Sequence, residues 1–444
     1  MKRKFLIALL AVVSAVCCAV GFAACEDNKG PGGSGGGGGG GYIDGGDDGI
    51  KLDYQLNTEG TYTITGIGDE TADNITIPAD IDGTAVTAIA EEAFIGNSTL
   101  TGVTISNGIT SIGIGAFVNC SNLKSVSIPG SVTEIGGQAF MNTALINVTM
   151  ANGVTTISTS MFENCTKLET ISIPDSVTTI GLKAFNGCSR LKNVNMGSGV
   201  KEIGNFSFSH CDSLKNLTFG SGVQTLGNYV LAESGIRNLV VPNSVVYIGE
   251  SLLYYCFDIE SISVPFIGRE RLKAPNENAN PEQGEDEEEP FSYTHFGYLF
   301  GSKSASTNHD FVDPVLGGKS ITVKITDATD KAPICSSAFY NTVGIGTVIV
   351  QGGMTKLLSN AFGACSLGTN FDVVLPSTLK TIDGNAFLGS DVGDIYFEGS
   401  QSQWNSISGR NIAQLRGSVY YYAADNIGGN VWHYDENGKP AKWN

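Results

Sequence analysis

Positive charge is scarce in this chain. Of 444 residues only 26 are Lys or Arg against 44 Asp or Glu, a formal net charge of −18, and charged residues of both signs make up 16%. Phosphate recognition needs clustered cations, and the only basic run is Lys2, Arg3 and Lys4, so nucleic acid is not an expected partner. Histidine is rare too. His210, His295, His309 and His433 are the four, and none has zinc-ligand spacing with Cys or carboxylates. His210 adjoins Cys211, but successive residues there would face different ways, which argues against a Cys-His catalytic pair. There is no nucleophile elbow, no HExxH and no paired-carboxylate motif. No catalytic residue, metal or cofactor is therefore expected. What the chain has in quantity is glycine, 58 residues, and a hydrophobic fraction of 41%, ample for a large core.

Residues 1–24 follow the order of an export signal: MKRK, the apolar run FLIALLAVVSAVCCAVGF, then Ala23 and Ala24 directly before Cys25. Those small residues before a Cys resemble the lipobox of bacterial lipoproteins, with Phe22 where Leu is usual. The resemblance implies that Cys25 is lipidated and becomes the new N-terminus. An uncleaved membrane helix is the alternative, since the apolar run could just span a bilayer. A helix would not need small residues and a Cys at its outer edge, so the lipid anchor is preferred. Either way the rest of the chain is placed outside the membrane. Residues 25–49 then form a Gly-rich tether without apolar periodicity, with a typical reach of roughly 25–30 Å. Its glycines are not closed by the Lys and Ser/Thr of a phosphate-binding loop.

From there the sequence repeats itself. Ser125 to Phe140 reads SVSIPGSVTEIGGQAF, and Ile171 to Phe185 reads ISIPDSVTTIGLKAF. A Phe, or a Leu in its place, returns every 22 or 23 residues at Phe94, Phe117, Phe140, Phe162, Phe185, Phe208, Leu231 and Leu253, and again at Phe339, Phe362 and Phe387. Val126 and Ile128 alternate with period two, a short strand, which Pro129 ends because proline cannot donate to a ladder. Gly136 to Phe140 suits a single helical turn that carries Ala139 and Phe140 inward. One such unit cannot bury its own apolar face, whereas stacked units share a continuous core. The pattern therefore predicts a solenoid of about eleven coils with the phenylalanines as a spine.

The IP, IG, AF and C elements in register resemble the BspA-like leucine-rich repeats of bacterial surface proteins, over roughly residues 53 to 400. That resemblance implies a right-handed leucine-rich-repeat solenoid, β-rich with short helical turns, export to the cell surface, and binding of host proteins, other cells or matrix without catalysis. The departures are Leu231 and Leu253 for Phe, Gly197 and Gly220 for Pro, and an excursion at 266–320. The expected organisation is an N-terminal cap at 50–90, a solenoid at 91–391 and an aromatic-rich C-terminal cap at 392–444.

Six cysteines, Cys120, Cys165, Cys188, Cys211, Cys256 and Cys365, lie three residues after the repeat Phe or Leu. Equivalent positions in stacked coils project in parallel, whereas a disulfide needs side chains that point at each other, so these read as small buried residues; Cys335 is out of register. The outward strand positions, among them Ser125, Ser127, Asn147, Thr149, Thr170, Ser172, Asn193 and Asn195, are nearly all Ser, Thr or Asn. This surface could hydrogen-bond sugars or peptide backbone, but small polar residues also simply suit a soluble repetitive sheet, and the second reading is preferred. Binding residues are sought instead in two irregular places. One is the acidic run Glu285, Asp286 and Glu287, read as a solvated loop rather than a metal site. It is followed by Phe291, Tyr293, Phe296, Tyr298 and Phe300, whose alternation suggests a strand packed back on the solenoid. The other is the last segment, with Trp404, Trp432, His433 and Tyr434, where aromatic side chains would cover an open solenoid end. The leading expectation is thus a lipid-anchored surface scaffold for an extracellular protein or glycan. Self-association in the envelope is the second, and a glycan-active site using Trp404 and His433 the third.

Overall fold

The computed structural model describes residues 40–45, 50–68, 72–269, 295–302, 312, 316, 320–329, 334, 338–339, 342, 344–365, 370–409, 417–426 and 428–443. The signal segment, Cys25, most of the tether, Glu285, Asp286, Glu287 and Cys335 lie outside them.

Each regular coil contributes two short strands, and both stack in parallel register on those of the next coil. Ser125–Ile128 pairs with Gly102–Ile105 on one side and Asn147–Met150 on the other. The two-residue strands Thr156–Ile157, Thr179–Ile180, Glu202–Ile203, Thr225–Leu226 and Tyr247–Ile248 form a second ladder. Between the two, the proline makes a tight turn in which the amide of Val177 donates to the carbonyl of Pro174 at 3.1 Å. Where glycine replaces proline the turn persists, Val223 N–H donating to Gly220 at 3.1 Å. The solenoid has about thirteen turns. Eleven aromatic or leucine recurrences undercount it because parallel pairing starts earlier, at Tyr62–Ile67 with Thr84–Ile89, and runs later, through Val419–Tyr422 to Val431–Tyr434. Antiparallel pairing is concentrated at the ends, in the manner of caps: Gly40–Gly45 with Ile50–Leu56, Ile50–Leu56 with Tyr62–Ile67 and Asp80–Ile81 with Thr84–Ile89 at one end, and Val431–Tyr434 with Pro440–Lys442 at the other.

The expected helical turn before each Phe is not a helix. Its amides alternate between closing local turns and donating to the neighbouring coil: Val118 N–H reaches Gly115 at 2.9 Å, while Gly115, Phe117 and Asn119 donate to Gly137, Ala139 and Met141 at 2.9, 2.8 and 3.0 Å. A helix would consume those donors internally, so stitching to the next coil wins. The alternation needs left-handed residues two before and two after the Phe, such as Gln138 (φ 61°) and Asn142 (φ 59°). At the second position Asn119, Asn142 and Asn164 tolerate this conformation and form an amide ladder, each Nδ2 donating to the preceding Oδ1 at 2.9 and 3.0 Å.

The spine is as read from the sequence. Phe94, Phe117, Phe140, Phe162, Phe185, Phe208, Phe339, Phe362 and Phe387 are all buried, and from Phe94 to Phe208 neighbouring rings stack with centroids 4.9–5.7 Å apart and planes within 3–11°. The glycine of the IG element is steric: a Cβ on Gly181 would lie 2.8 Å from the Thr159 nitrogen and 2.9 Å from the Ser158 carbonyl carbon of the coil beneath. The six cysteines in register are free and buried. Each thiol donates to the carbonyl of the preceding coil's spine residue, for example Cys120 to Phe94 at 3.0 Å and Cys365 to Phe339 at 2.9 Å, and burial pushes the Cys165 thiol up to about 12.

The aromatic end of the excursion corrects the sequence reading. Phe296–Phe300 is a buried 3-10 helix, not a strand. It fills a coil's turn position, Ser251 and Leu253 N–H donating to Tyr298 and Leu299, and Phe296 sits 5.4 Å from Phe339 in the spine. Phe291 and Tyr293 lie outside the described residues.

Candidate binding face

The outward positions of the longer strands are where the molecule changes character along its length. Ser125, Ser127, Asn147, Thr149, Thr170, Ser172, Asn193, Asn195, Asn216 and Thr218 are exposed. They are held by one another, Asn195 Nδ2 donating to Ser172 Oγ at 3.0 Å and Asn238 Nδ2 to Asn216 Oδ1 at 3.1 Å, so the face is a fixed lattice of hydroxyls and amides. A shallow groove of about 240 Å³ runs over it between Asn74, Thr104, Ser127 and Asn147.

Past Thr218 the same column reads Val240, Ser263, Lys324, Ile349, Val374, Tyr396 and Tyr420 in unbroken register. From Ile349 onward this outward column is apolar or aromatic. An apolar sheet face must be covered, and the C-terminal hairpin covers it: Ile349, Val374, Tyr396 and Trp432 form a second buried cluster outside the main core, with Tyr420 and Tyr434 packed against it. Trp432 is fully buried, edge-on to Tyr396 at 5.4 Å and Tyr434 at 4.8 Å, its indole N–H donating to the Phe397 carbonyl at 3.0 Å. The Tyr434 hydroxyl donates to Glu398 at 2.5 Å. Burial raises the Glu398 carboxyl above its ordinary value, with the Tyr434 bond and the Lys324 charge pulling the other way. Burial likewise raises Asp372 and, with the Asp372 charge adding, pushes Tyr396 up to about 12. Lys442 pairs with Asp394 at 2.6 Å and lies 4.4 Å from the Tyr420 ring centroid, an anchor for the hairpin's second strand.

These contacts reassign two of the sequence candidates. Trp404, on the short helix Gln401–Ser406, is buried in the main core against Phe397 at 5.3 Å, and Trp432 lies in the outer cluster, so neither presents a binding surface. His433 stacks on Trp443 at 3.9 Å with Nδ1 2.9 Å from the Tyr434 carbonyl. Trp404 is buried in the main core while His433 lies against Trp443, so Trp404 has no exposed ring with which to line a sugar pocket. Among the described residues no three His, Cys, Asp or Glu side chains gather as a metal site would require.

The hairpin does create a cleft where the polar lattice meets its tip. An open cleft of about 370 Å³ lies between Asn437, Gly438 and Lys439 on the hairpin and Asn238, Ser261, Ser263, Thr322 and Lys324 on the sheet. The tip is braced by Asp435, whose carboxylate accepts from the amides of Asn437 and Lys439 at 2.9 and 2.8 Å. The cleft offers hydroxyls, two amides, two lysines and the Glu260 carboxylate. Lys324 was within reach of the sequence, since ITVKI alternates with Lys324 on the outward side; Lys439 was not, because only the folded hairpin brings it there.

A model of the BspA type leucine-rich repeat region matches residues 87–205, 156–269 and 321–415, more than half of the chain. No curated protein matches it. Among solved structures, a leucine-rich repeat protein from Bacteroides ovatus is 20% identical, covering 84% of this chain and 98% of its own, with a TM-score of 0.42. A leucine rich cell surface protein from Faecalibacterium prausnitzii is 22% identical, covering 81% and 96%, with a TM-score of 0.33. A leucine-rich repeat protein from T. pallidum is 24% identical over 47% of this chain and 87% of that one, with a TM-score of 0.34. With the repeat register, the stacked spine and the family match in agreement, this chain belongs to the BspA-type leucine-rich-repeat family of scaffold proteins.

Proposed function

We propose that the protein is a lipid-anchored, non-enzymatic scaffold on the cell surface whose solenoid binds an extracellular protein or glycan across its polar strand face. The observation that carries this is the cleft at the end of that face. A fixed lattice of hydroxyls and amides leads into it, and Lys324 and Lys439 stand at it beside the single carboxylate of Glu260, in a chain of net charge −18. A rigid polar surface of this kind orders few side chains on binding, which favours recognition over a flexible one. The anchoring part rests on the order of residues before Cys25.

Two measurements test the proposal. Ligands captured by the purified protein from extracellular extracts should be lost by a Ser263→Arg, Thr322→Arg variant that fills the cleft; undiminished capture would place binding elsewhere. Metabolic labelling with palmitate should mark the wild type and spare Cys25→Ala, which should also leave the membrane fraction; equal labelling of both would remove the lipid anchor.

A further inference from the structure

A second surface lies on the turn side of the solenoid, built from residues that the strand face does not use. Phe206, Tyr229, Tyr254, Tyr255 and Phe257 come from three successive coils and run as one line of rings, with consecutive centroids 4.8, 5.6, 4.1 and 5.6 Å apart. Phe206 and Tyr229 are parallel within 2°, whereas Tyr254 turns 78° from Tyr229, ending their mutual cover. Four of the five are half-buried and Phe257 is 50% exposed, and none belongs to the hydrophobic core.

The backbone makes this stripe costly. Phe206, Tyr229 and Tyr255 occupy the left-handed positions two before or after the spine residue, with φ of 55°, 56° and 53°. Other coils place Gly115, Gln138, Ser160, Asn142 or Gly187 at these positions, residues that are small or polar and of which Gly and Asn adopt the conformation most readily. Bulky aromatic residues held there, without core packing in return, follow the pattern of strain kept for function.

Carboxylates accompany the rings. Glu233 lies close enough to Tyr254 for its charge to act on the phenol, Asp258 follows Phe257, and Glu250 opens the coil that carries Tyr254. His210 stands 3.7 Å from Glu233 and Lys215 3.3 Å from Asp258, so the patch is not purely acidic, but three of these four side chains are more than one-third solvent-exposed, Glu233 being just under, and the pairs are open to exchange. The protein satisfies the same chemistry internally at its other end, where Lys442 lies over the Tyr420 ring and pairs with Asp394. We propose that the stripe from Phe206 to Phe257 is a second binding site, for an arginine-bearing segment of an extracellular polypeptide. The guanidinium stacks on the rings, and its N–H groups reach Glu233.

The test uses the purified full chain and a short alternating arginine–glycine peptide, with lysine–glycine and glutamate–glycine peptides as comparators. The arginine peptide should bind best and the glutamate peptide not at all. A Tyr229→Asn, Tyr254→Ser variant keeps the net charge, so general acidity is unchanged; it should bind the arginine peptide about tenfold more weakly. Its thermal midpoint should not fall below that of Tyr254→Ser alone, because Asn suits the left-handed position. Glu233→Gln should weaken the arginine peptide as well. Equal affinity of the ring variant and the wild type, or no preference for arginine over glutamate, overturns the proposal. Filling the strand-face cleft should leave this binding intact, so the two readings stand or fall separately.

Discussion

Replacing Phe162 by alanine probes the spine where it is most regular. The ring is fully buried between Phe140 at 5.7 Å and Phe185 at 5.4 Å, with interplanar angles of 10° and 11°. Removing it from a site stitched on both sides by backbone bonds, such as Phe162 N–H to Ala184 at 2.8 Å, leaves a cavity that cannot collapse, at a cost of about 3–5 kcal/mol. Phe162→Leu keeps most of the apolar volume, as Leu231 and Leu253 do naturally, and loses two ring pairs of about 0.5–1.5 kcal/mol each. A double-mutant cycle separates stacking from burial. Phe162→Ala with Phe185→Ala should show coupling of about 0.5–1.5 kcal/mol, whereas Phe117→Ala with Phe208→Ala, several coils apart, should add to within about 0.5 kcal/mol. A long array need not unfold in two states, so denaturant titration should be read with amide exchange resolved by coil. A cost below about 1 kcal/mol for Phe162→Ala, or equal coupling in near and distant pairs, would refute nearest-neighbour stacking as the source of stability.

Gly181→Ala should destabilise by about 1–3 kcal/mol through overpacking, because its Cβ would meet backbone atoms at 2.8 and 2.9 Å; a neutral thermal shift would mean the coils can spread there. The six buried thiols should resist iodoacetamide at mildly alkaline pH and react on unfolding, Cys165 and Cys365 being pushed up to about 12 by burial; rapid labelling of the folded protein would contradict that burial. The C-terminal hairpin should loosen as pH rises. Glu398 and Asp372 are both raised by burial, so the folded state holds their protons more tightly than the unfolded one, and stability falls from the ordinary carboxylate range near pH 4 upward through the raised values. Tryptophan fluorescence melts should show a C-terminal transition that drops over that window and flattens in Glu398→Gln; a transition that rises with pH would reverse the assignment.

The coil itself was determined by the sequence alone. Every coil meets a neighbour like itself, so the positions of Phe140, Ile128, Pro129, Gly136 and Cys120 recur with the contacts they make, and local pattern equals tertiary environment. Where that identity fails, only the folded chain decides. The turn before each Phe is not helical because its amides have a better use in the adjacent coil, which no single repeat reveals. Residues 296–300 rejoin the spine after the register has been interrupted, with Phe296 serving in place of a distant AF element. Trp404 and Trp432 looked alike as terminal aromatics, but one entered the main core and the other a second cluster, because Ile349, Val374 and Tyr396 turned the outer sheet face apolar and required a cover. The cleft at Lys324 and Lys439 follows from that same cover: its two lysines stand more than a hundred residues apart in the chain, and only the hairpin's packing on the sheet brings them to one place.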